Sequence, residues 1–328
     1  MRRRLLLKLA LGATAMLAAP VGVSAAEYPT KPITIVAPYG AGGSSDLAAR
    51  ALSSTASSYL GQPLMVVNRT GAGGVTGSAF VHRSKPDGYT LLLSRVGSNG
   101  VTPALNDTIP YKYDDFTFLG LLELNPYVVV VQADSPYKTL DDLVSALKEN
   151  PGKLSYSTSG PGTILNMGPQ MLFNIARLGK DAAKMIPYKG GGQARTALIG
   201  GHVDFLGINL APVMDNIRGG QLRALVVTTP ERYDAIPDVP TAAEAGYPAL
   251  ETVVGWSGLW GPPGMPDEVV QKWAETLQSV KDDKAWLKMT QSLGSVPRIL
   301  SPDETRKFVD NQYNTYYKLG EELGVRIE

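Results

Sequence analysis

The sequence predicts an α/β fold in which buried parallel strands alternate with covering helices. Short β-branched apolar runs recur between helical segments, and glycine- and proline-rich turns separate them. Residues 91–93 and 128–131 are apolar at every position, which is typical of strands buried on both faces of a sheet. The order strand, helix, strand, helix, strand over residues 33–93 therefore predicts a mainly parallel sheet flanked by helices.

The same patterns predict the elements in chain order. Predicted strands cover residues 33–37, 64–67, 89–93, 128–131, 154–157, 184–188, 203–206 and 222–228. Predicted helices cover residues 46–59, 75–83, 140–149, 166–178, 193–199, 213–218, 267–293 and 302–323. A second alternating series starts after residue 131, so we expect two lobes.

The N-terminus has the pattern of a signal peptide. Four cations lie within the first eight residues, an apolar stretch covers residues 9–19, and small residues follow at 23–26. We expect cleavage after Ala25 or Ala26, so residues 1–26 would be removed and the protein would be exported to the periplasm. The arginine run permits either the general secretory or the twin-arginine route.

Composition excludes several functions. Without the four cations of the expected signal peptide, the chain has 27 Lys and Arg against 30 Asp and Glu and no basic block, so nucleic acid is not an expected partner. Cysteine is absent, which removes thiolate metal sites and cysteine nucleophiles. An exported hydrolase is the alternative to a binding protein, and it would need a general base. His82 and His202 are the only histidines in the sequence, and both are predicted to be exposed. No G-x-S-x-G elbow or H-E-x-x-H motif occurs. We expect a binding protein with no catalytic residue, no metal and no cofactor.

The loop between the first strand and the first helix has the character of an anion site. Glycines let a ligand approach the backbone, and a helix N-terminus presents unpaired N–H groups and partial positive charge. Candidate ligand contacts in this loop are Tyr39, Ala41, Gly42, Gly43, Ser44 and Asp46. Asp46 is expected either to cap the helix or to touch the ligand. The later glycines at 71, 73, 74 and 77 break the dinucleotide-binding spacing at Thr76, so a turn is expected there.

Further candidates lie after other predicted strands, where α/β sheets bind ligands. They are Ser94, Arg95, Ser98, Thr158, Ser159, Thr163, Asn166, Lys189, Gly191 and Asp204. Arg95 is either a surface cation or a bidentate clamp for a second carboxylate. Lys189 is either solvated or a ligand contact, and Asp204 either binds a ligand or anchors a loop. Trp256 is expected to pack at the lobe junction or to stack on an aromatic ligand.

Four stretches together resemble the tripartite tricarboxylate transporter substrate-binding family, also called Bug-type receptors. They cover residues 28–50, 61–90, 186–204 and 236–264, in the family's order. The resemblance implies a periplasmic-binding-protein clamshell joined by crossing strands, with lobe 1 from residues 27–122 plus 227–328 and lobe 2 from residues 123–226. It implies a monomer that binds a di- or tricarboxylate or an aromatic carboxylate. Small and large membrane transporter subunits are the implied partners, or alternatively a signalling partner to which a sensor presents the acid.

Three positions depart from the family pattern within the expected pocket. Gly40 and Ala41 stand where proline or alanine is usual, Asn166 stands where histidine is frequent, and Arg95 replaces a small residue. These departures bear on which acid is bound rather than on the fold.

Overall fold

A computed structural model describes residues 28–324, and the expected signal peptide lies outside them. Its strands are β1 (Ile33–Ala37), β2 (Leu64–Asn68), β3 (Thr90–Arg95), β4 (Thr117–Asn125), β5 (Tyr127–Gln132), β6 (Ser155–Thr158), β7 (Lys184–Pro187), β8 (Leu206–Asn209), β9 (Leu222–Val227), β10 (Gly255–Gly261) and β11 (Val296–Leu300). Its α-helices are α1 (Ser44–Leu60), α2 (Val75–His82), α3 (Thr102–Leu105), α4 (Leu140–Glu149), α5 (Ile164–Ile175), α6 (Gly191–Ile199), α7 (Met214–Arg218), α8 (Asp267–Lys281), α9 (Lys284–Ser292) and α10 (Pro302–Leu323). None of these helices is long and apolar enough to cross a membrane.

The first lobe is built on a six-stranded sheet in the order β11-β4-β10-β3-β1-β2. Strands β2 and β3 both pair with β1 in parallel. Strand β10 runs antiparallel between β3 and β4, and β11 is antiparallel to β4. The first sheet is therefore mixed: β1, β2, β3 and β4 share one direction as expected, whereas β10 and β11 run against it.

The second lobe also has a mixed sheet. Strand β5 lies antiparallel between β8 and β9, while β6 and β7 pair in parallel. A parallel bridge between Tyr156 and Phe205 joins the two parts, since Phe205 directly precedes β8. The prediction of parallel pairing thus holds here for β6 with β7, for this bridge, and for a second parallel bridge between Val227, at the end of β9, and Thr241.

Two crossings connect the lobes. Strand β4 belongs to the first sheet and ends at Asn125, whereas β5 belongs to the second and begins at Tyr127. The chain leaves the second sheet after Val227 and re-enters the first at Gly255. Helices α8 and α10 then pack on the first sheet. The lobe boundaries drawn from the sequence stay predictions, but the crossings show which segments form the floor of the cleft.

Burial explains why these strands form. Ile33 and Ile35 in β1 and Leu91, Leu92 and Leu93 in β3 are fully buried. Alternate residues of β1 and β3 face the two different hydrophobic clusters of the chain, because both faces of the parallel part of the sheet are covered. This packing fixes the strand ends from which the loops of the cleft extend.

Tyr127→Phe is expected to stabilise the protein. The Tyr127 side chain is fully buried, its hydroxyl has no hydrogen-bond partner, and Gly168 and Gly207 leave the space it occupies. Burial raises the pKa of Tyr127 well above its ordinary value, so the hydroxyl stays neutral and contributes only a desolvation cost. Removing it should add about 1 kcal/mol to the free energy of unfolding, measured by thermal or urea denaturation.

The matched control is Tyr156→Phe. The Tyr156 hydroxyl donates to Asn166 Oδ1 at 2.7 Å, so its removal should destabilise the protein. Equal losses of stability in the two variants would show that the Tyr127 hydroxyl also has a favourable partner.

Candidate functional site

A cavity lies between the lobes, with about 380 Å³ of space not filled by protein atoms when the open solvent at its mouth is counted. The first lobe contributes Tyr39, Gly43, Ser44, Ser45, Arg95, Val96 and Gly97. The second lobe contributes Ser159, Thr163, Ile164, Leu165, Gly191, Ile208 and Asn209. Both sheets thus direct strand ends and helix starts at one cleft, as in α/β ligand sites generally.

Three helices begin at this cavity, and none of them has a side-chain cap. The N-cap residues are Gly43 for α1, Thr163 for α5 and Gly190 for α6. The surface helices α4, α9 and α10 are capped by Thr139, Asp283 and Ser301, whereas α2, α3, α7 and α8 resemble the three helices at the cavity in having no side-chain cap. A helix N-terminus without a cap leaves N–H donors and partial positive charge for another acceptor. At the cavity that acceptor can be a bound anion.

Ser45 adds a hydroxyl to this surface. It is 2% exposed, it lines the cavity at the start of α1, and its Oγ has no hydrogen-bond partner. Buried hydroxyls are usually paired, so this one is available to a ligand inside the cavity.

Asp46 holds the first loop rather than the ligand. Its carboxylate accepts from Gly42 N at 3.0 Å and from Arg50 Nε at 3.1 Å. Burial alone would raise the pKa of Asp46, but the hydrogen bonds from Arg50 and Gly42 hold it below its ordinary value. Asp46 therefore stays ionised and fixes the curve of the loop around Gly42, whose φ is +72°. The capping role predicted for Asp46 is wrong, because Gly43 is the N-cap of α1 and no side chain caps it. The Asp46 carboxylate instead braces the loop that precedes the helix.

Tyr39 reaches the cavity because two glycines make room for its ring. A Cβ at Gly74 would lie 2.8 Å from Tyr39 Cζ, and one at Gly97 would lie 2.6 Å from the Tyr39 hydroxyl. The hydroxyl donates to the Gly73 carbonyl at 2.7 Å. Burial raises the pKa of Tyr39 to about 12, against the opposing influence of Ser98 and Arg95. The glycine-rich loop at 71–74 therefore supports Tyr39 and is the turn expected from its failed fingerprint spacing.

Arg95 lines the cavity but is held by the protein. It is 4% exposed, so it is not the surface cation that was one of its two predicted roles. Nη1 donates to Asn125 Oδ1 at 2.7 Å and to Ser257 Oγ, and Nη2 donates to Asn209 Oδ1 at 2.9 Å. Glu123 Oε1 lies 3.8 Å from Nη1. Burial lowers the pKa of Arg95, and the charge of Glu123 partly offsets this effect.

The two lobes touch across the cavity mouth through backbone. Gly40 N donates to the Lys189 carbonyl at 3.2 Å. A Cβ at Gly190 would lie 2.7 Å from Gly40 N, and one at Gly192 would overlap the Ala41 carbonyl oxygen. Glycine is therefore required at 190 and 192 for this closed arrangement of the lobes.

The structure brings fewer than half of the candidate residues to the cavity. Those that line it are Tyr39, Gly43, Ser44, Arg95, Ser159, Thr163 and Gly191. Those that do not are Ala41, Gly42, Asp46, Ser94, Ser98, Thr158, Asn166, Lys189 and Asp204.

Several of these side chains have other partners. Asp204 accepts from Ser155 N at 2.7 Å, at the start of β6 and away from the strand end that faces the cleft. Asn166 accepts from the Tyr156 hydroxyl. Ser98 donates to Asn99 Oδ1 at 2.8 Å inside the first lobe.

The backbone around the remaining candidates serves the cleft indirectly. Lys189 is exposed and takes part through its carbonyl, and Ala41 through its contact with Gly192. Thr158 lies within hydrogen-bond distance of Thr163 and shapes the loop before α5.

Sequence reasoning missed six lining residues, namely Val96, Gly97, Ile164, Leu165, Ile208 and Asn209. Asn209 is the most informative of them, because a polar residue ending a fully buried strand needs a partner. That signal was visible in the run Leu206–Asn209. The other five are apolar or glycine residues beside strand or helix ends, and their residue types alone do not indicate a ligand contact.

The two histidines lie outside the cavity. His82 is half-buried rather than exposed, with Nε2 3.2 Å from Asp115 Oδ2 and its ring against Phe116. His202 is exposed.

Trp256 is fully buried and packs against Trp260 and Phe308, so packing is the role that its contacts show. Within residues 28–324, no group of three or more acidic or histidine side chains is placed to hold a metal ion.

Comparisons with known proteins agree with this architecture. The family model for the "Tripartite tricarboxylate transporter family receptor" matches residues 48–325. Protein BugT of Bordetella pertussis is 35% identical over 318 residues, covering 96% of this chain and 96% of BugT. The solved structure of periplasmic binding protein BugD has a TM-score of 0.87 at 31% identity, covering 92% of this chain and 100% of that chain. MatC from Rhodopseudomonas palustris, solved with bound malate, has a TM-score of 0.84 at 28% identity, covering 89% and 99%.

These matches confirm the resemblance seen in the sequence and the two-lobed α/β fold. The family is one of solute-binding receptors. The chain belongs to the tripartite tricarboxylate transporter receptor family.

Proposed function

We propose that this protein is a periplasmic receptor that captures a small carboxylate between its lobes and delivers it to the membrane subunits of a transporter. The observation that carries the proposal is the convergence of α1, α5 and α6 on one cavity without side-chain caps. Each helix N-terminus carries the equivalent of about half a positive charge, so together they match one or two carboxylate groups. The protein acts as a monomer without metal or cofactor.

The charge of the cavity favours this arrangement. Arg95 is the only Lys or Arg among the lining residues, and Glu123 lies 3.8 Å from its guanidinium. An anion in the cavity is therefore stabilised mainly by oriented N–H groups and hydroxyls, with Arg95 as a polarised donor at the floor. Hydrogen bonds of this kind are strengthened wherever the two lobes shield the ligand from water.

The shape and polarity of the cavity indicate a small ligand. Val96, Ile164, Leu165 and Ile208 line it beside the polar groups, so an alkyl or aromatic skeleton has apolar surface to contact. MatC, a structural relative, binds malate. We therefore place mono- and dicarboxylates of this size first among candidate ligands.

The cavity is suited to binding rather than turnover. Its lining residues include serines but no His, Asp or Glu, so neither Ser44 nor Ser45 has a general base beside it. Export is supported by the signal-like sequence at 1–26 and by the periplasmic relative BugD. Membership of the family supports delivery to small and large membrane subunits.

A ligand screen tests the proposal. We expect malate, succinate, adipate or benzoate to raise the melting temperature of residues 27–328 by several degrees. At a ligand concentration of about one hundred times the dissociation constant, binding adds about 2.7 kcal/mol to the free energy of unfolding. Calorimetry should then give a single site, and mass spectrometry should recover the acid unchanged.

Malamide, the neutral diamide of malate, is the matched control and should not bind, because it lacks the negative charge. Melting-temperature shifts from sugars or nucleotides, with none from any carboxylate, would overturn the assignment of ligand class.

A further inference from the structure

Asn209 of the second lobe inserts its amide into the floor of the first lobe. It is the last residue of β8 and is 1% exposed. Oδ1 accepts from Arg95 Nη2 at 2.9 Å, and Nδ2 donates to the Asn125 carbonyl at 3.3 Å. Both polar ends of one side chain are thus satisfied by residues that precede the first crossing between the lobes.

The crossing strands leave a space for this amide. Gly255 opens β10 and pairs with Asn125 of β4, and a Cβ at Gly255 would overlap the Asn209 side chain. The backbone at Gly255 does not have positive φ, so the need for glycine here is a need for room. Asn209 therefore occupies a slot formed by the two strands that connect the lobes.

The amide completes a set of acceptors around Arg95. Nη1 donates to Asn125 and Ser257, on the crossing strands. Both of those residues also donate to Glu123 Oε1, at 3.0 and 2.7 Å. The Nη2 bond to Asn209 is the one that comes from the second lobe. The crossing strands thus hold one nitrogen of the guanidinium, Nη1, and the second lobe holds the other terminal nitrogen, Nη2.

We propose that Asn209 is a positioning residue that orients the Arg95 guanidinium for the ligand only when the lobes are closed. Opening withdraws β8 and releases Nη2, so Arg95 is set for a ligand at the same time as the cavity forms. An asparagine suits this role better than an aspartate because Glu123 already balances the charge of Arg95, and a second buried carboxylate would leave the floor with an excess negative charge. The ligand part of this inference rests on the proposed function, whereas its closure part does not.

A double-mutant cycle tests the proposal. Asn209→Ala removes a hydrogen bond to a charged group, so we expect about a tenfold to hundredfold loss in malate affinity by calorimetry. In an Arg95→Met background the same substitution should change the affinity less than about threefold, because Asn209 acts through Arg95. A role confined to general packing would give the same loss in both backgrounds, and that additive result would overturn the proposal.

A second background and a second readout keep the test decisive. Arg95→Met with Glu123→Gln removes both buried charges together and replaces the single variant if that one does not fold. Distances between spin labels on the two lobes give the closed fraction of the unliganded protein. This fraction should fall about tenfold or more when Asn209→Ala is introduced into the parent protein. It should not fall when Asn209→Ala is introduced into the Arg95→Met variant. This readout needs no ligand, so it can fail or succeed independently of carboxylate binding.

Asn216→Ala is the control for the substitution itself, because Asn216 lies on α7 and donates to Gln221 away from the cavity. It should leave both the affinity and the closed fraction within about twofold of the parent protein. A loss equal to that of Asn209→Ala would show that the effect does not come from the Arg95 contact.

Discussion

Gly192→Ala is expected to weaken carboxylate binding about tenfold to hundredfold without destabilising the fold. Gly192 is the second residue of α6, and a Cβ there would overlap the Ala41 carbonyl oxygen and lie 3.1 Å from the Gly42 carbonyl carbon. Both atoms belong to the opposite lobe, so the clash exists only in the closed form. Overpacking of this kind costs about 1–3 kcal/mol, and that cost falls on closure.

The substitution should leave the stability of the second lobe unchanged or increase it. Alanine is favoured over glycine inside a helix by up to about 1 kcal/mol, so the unliganded variant should melt at the same or a higher temperature. Calorimetry measures the affinity, and small-angle scattering should show that saturating ligand no longer reduces the radius of gyration as much as in the parent protein. Unchanged stability together with weakened binding would show that the added methyl group blocks closure of the lobes and does not impair folding.

Gly200→Ala is the matched control, at the other end of the same helix. A Cβ there meets only the exposed His202 ring and the carbonyl of Thr196, at 3.1 and 3.3 Å, and nothing from the first lobe. It should bind ligand as the parent does. If Gly192→Ala also binds within twofold of the parent, the contact between Gly192 and Ala41 does not limit closure.

The sequence was sufficient for elements whose signal is local. Helix α4 has its predicted bounds because Thr139 and Asp142 form a capping box before an amphipathic run. Strand β1 also has its predicted bounds, Ile33–Ala37, because it is a short apolar run ended by Pro38 and the glycine-rich loop. The helix expected over residues 267–293 is instead two helices, because Asp283 accepts from the N–H groups of Ala285 and Trp286 and starts α9.

Elements that depend on distant partners were missed. Strand β10 contains three glycines in seven residues, Gly255–Gly261, which lowers its intrinsic strand preference. It forms because it pairs with β3 and β4, more than one hundred residues earlier in the chain. Strands β4 and β11 depend in the same way on distant neighbours, which the alternation of apolar and polar residues within each strand does not reveal.

The same limit applies to the cavity. The loops were predicted correctly as strand-to-helix turns, since glycines and helix starts are local features. The contact between Arg95 and Asn209 was not predicted, because Asn209 lies 114 residues away in the chain. The two residues meet only where the chain crosses between the two sheets. For this reason the two roles predicted for Arg95 were a surface cation and a clamp for the ligand, whereas the structure shows that much of its donor capacity is used by the protein.

Glu123→Gln is expected to destabilise the unliganded protein strongly and to increase its response to an anionic ligand. Glu123 is 3% exposed, and its carboxylate lies 3.8 Å from Arg95 Nη1. Arginine remains protonated in proteins, so the variant buries an uncompensated cation. Breaking a buried pair in this way costs about 3–5 kcal/mol, which corresponds to a fall in melting temperature of roughly 10 °C.

The ligand should recover part of this loss. A carboxylate in the cavity lies beside the guanidinium and replaces some of the missing negative charge, so malate should raise the melting temperature of Glu123→Gln more than that of the parent at equal fractional saturation. Glu244→Gln is the control, because Glu244 forms an ion pair with Arg232 at 2.9 Å with both side chains nearly half exposed, and such surface pairs contribute under about 1 kcal/mol. Equal ligand-induced shifts in Glu123→Gln and the parent would mean that the bound carboxylate lies too far from Arg95 to interact with its charge, and that the helix N-termini alone hold the anion.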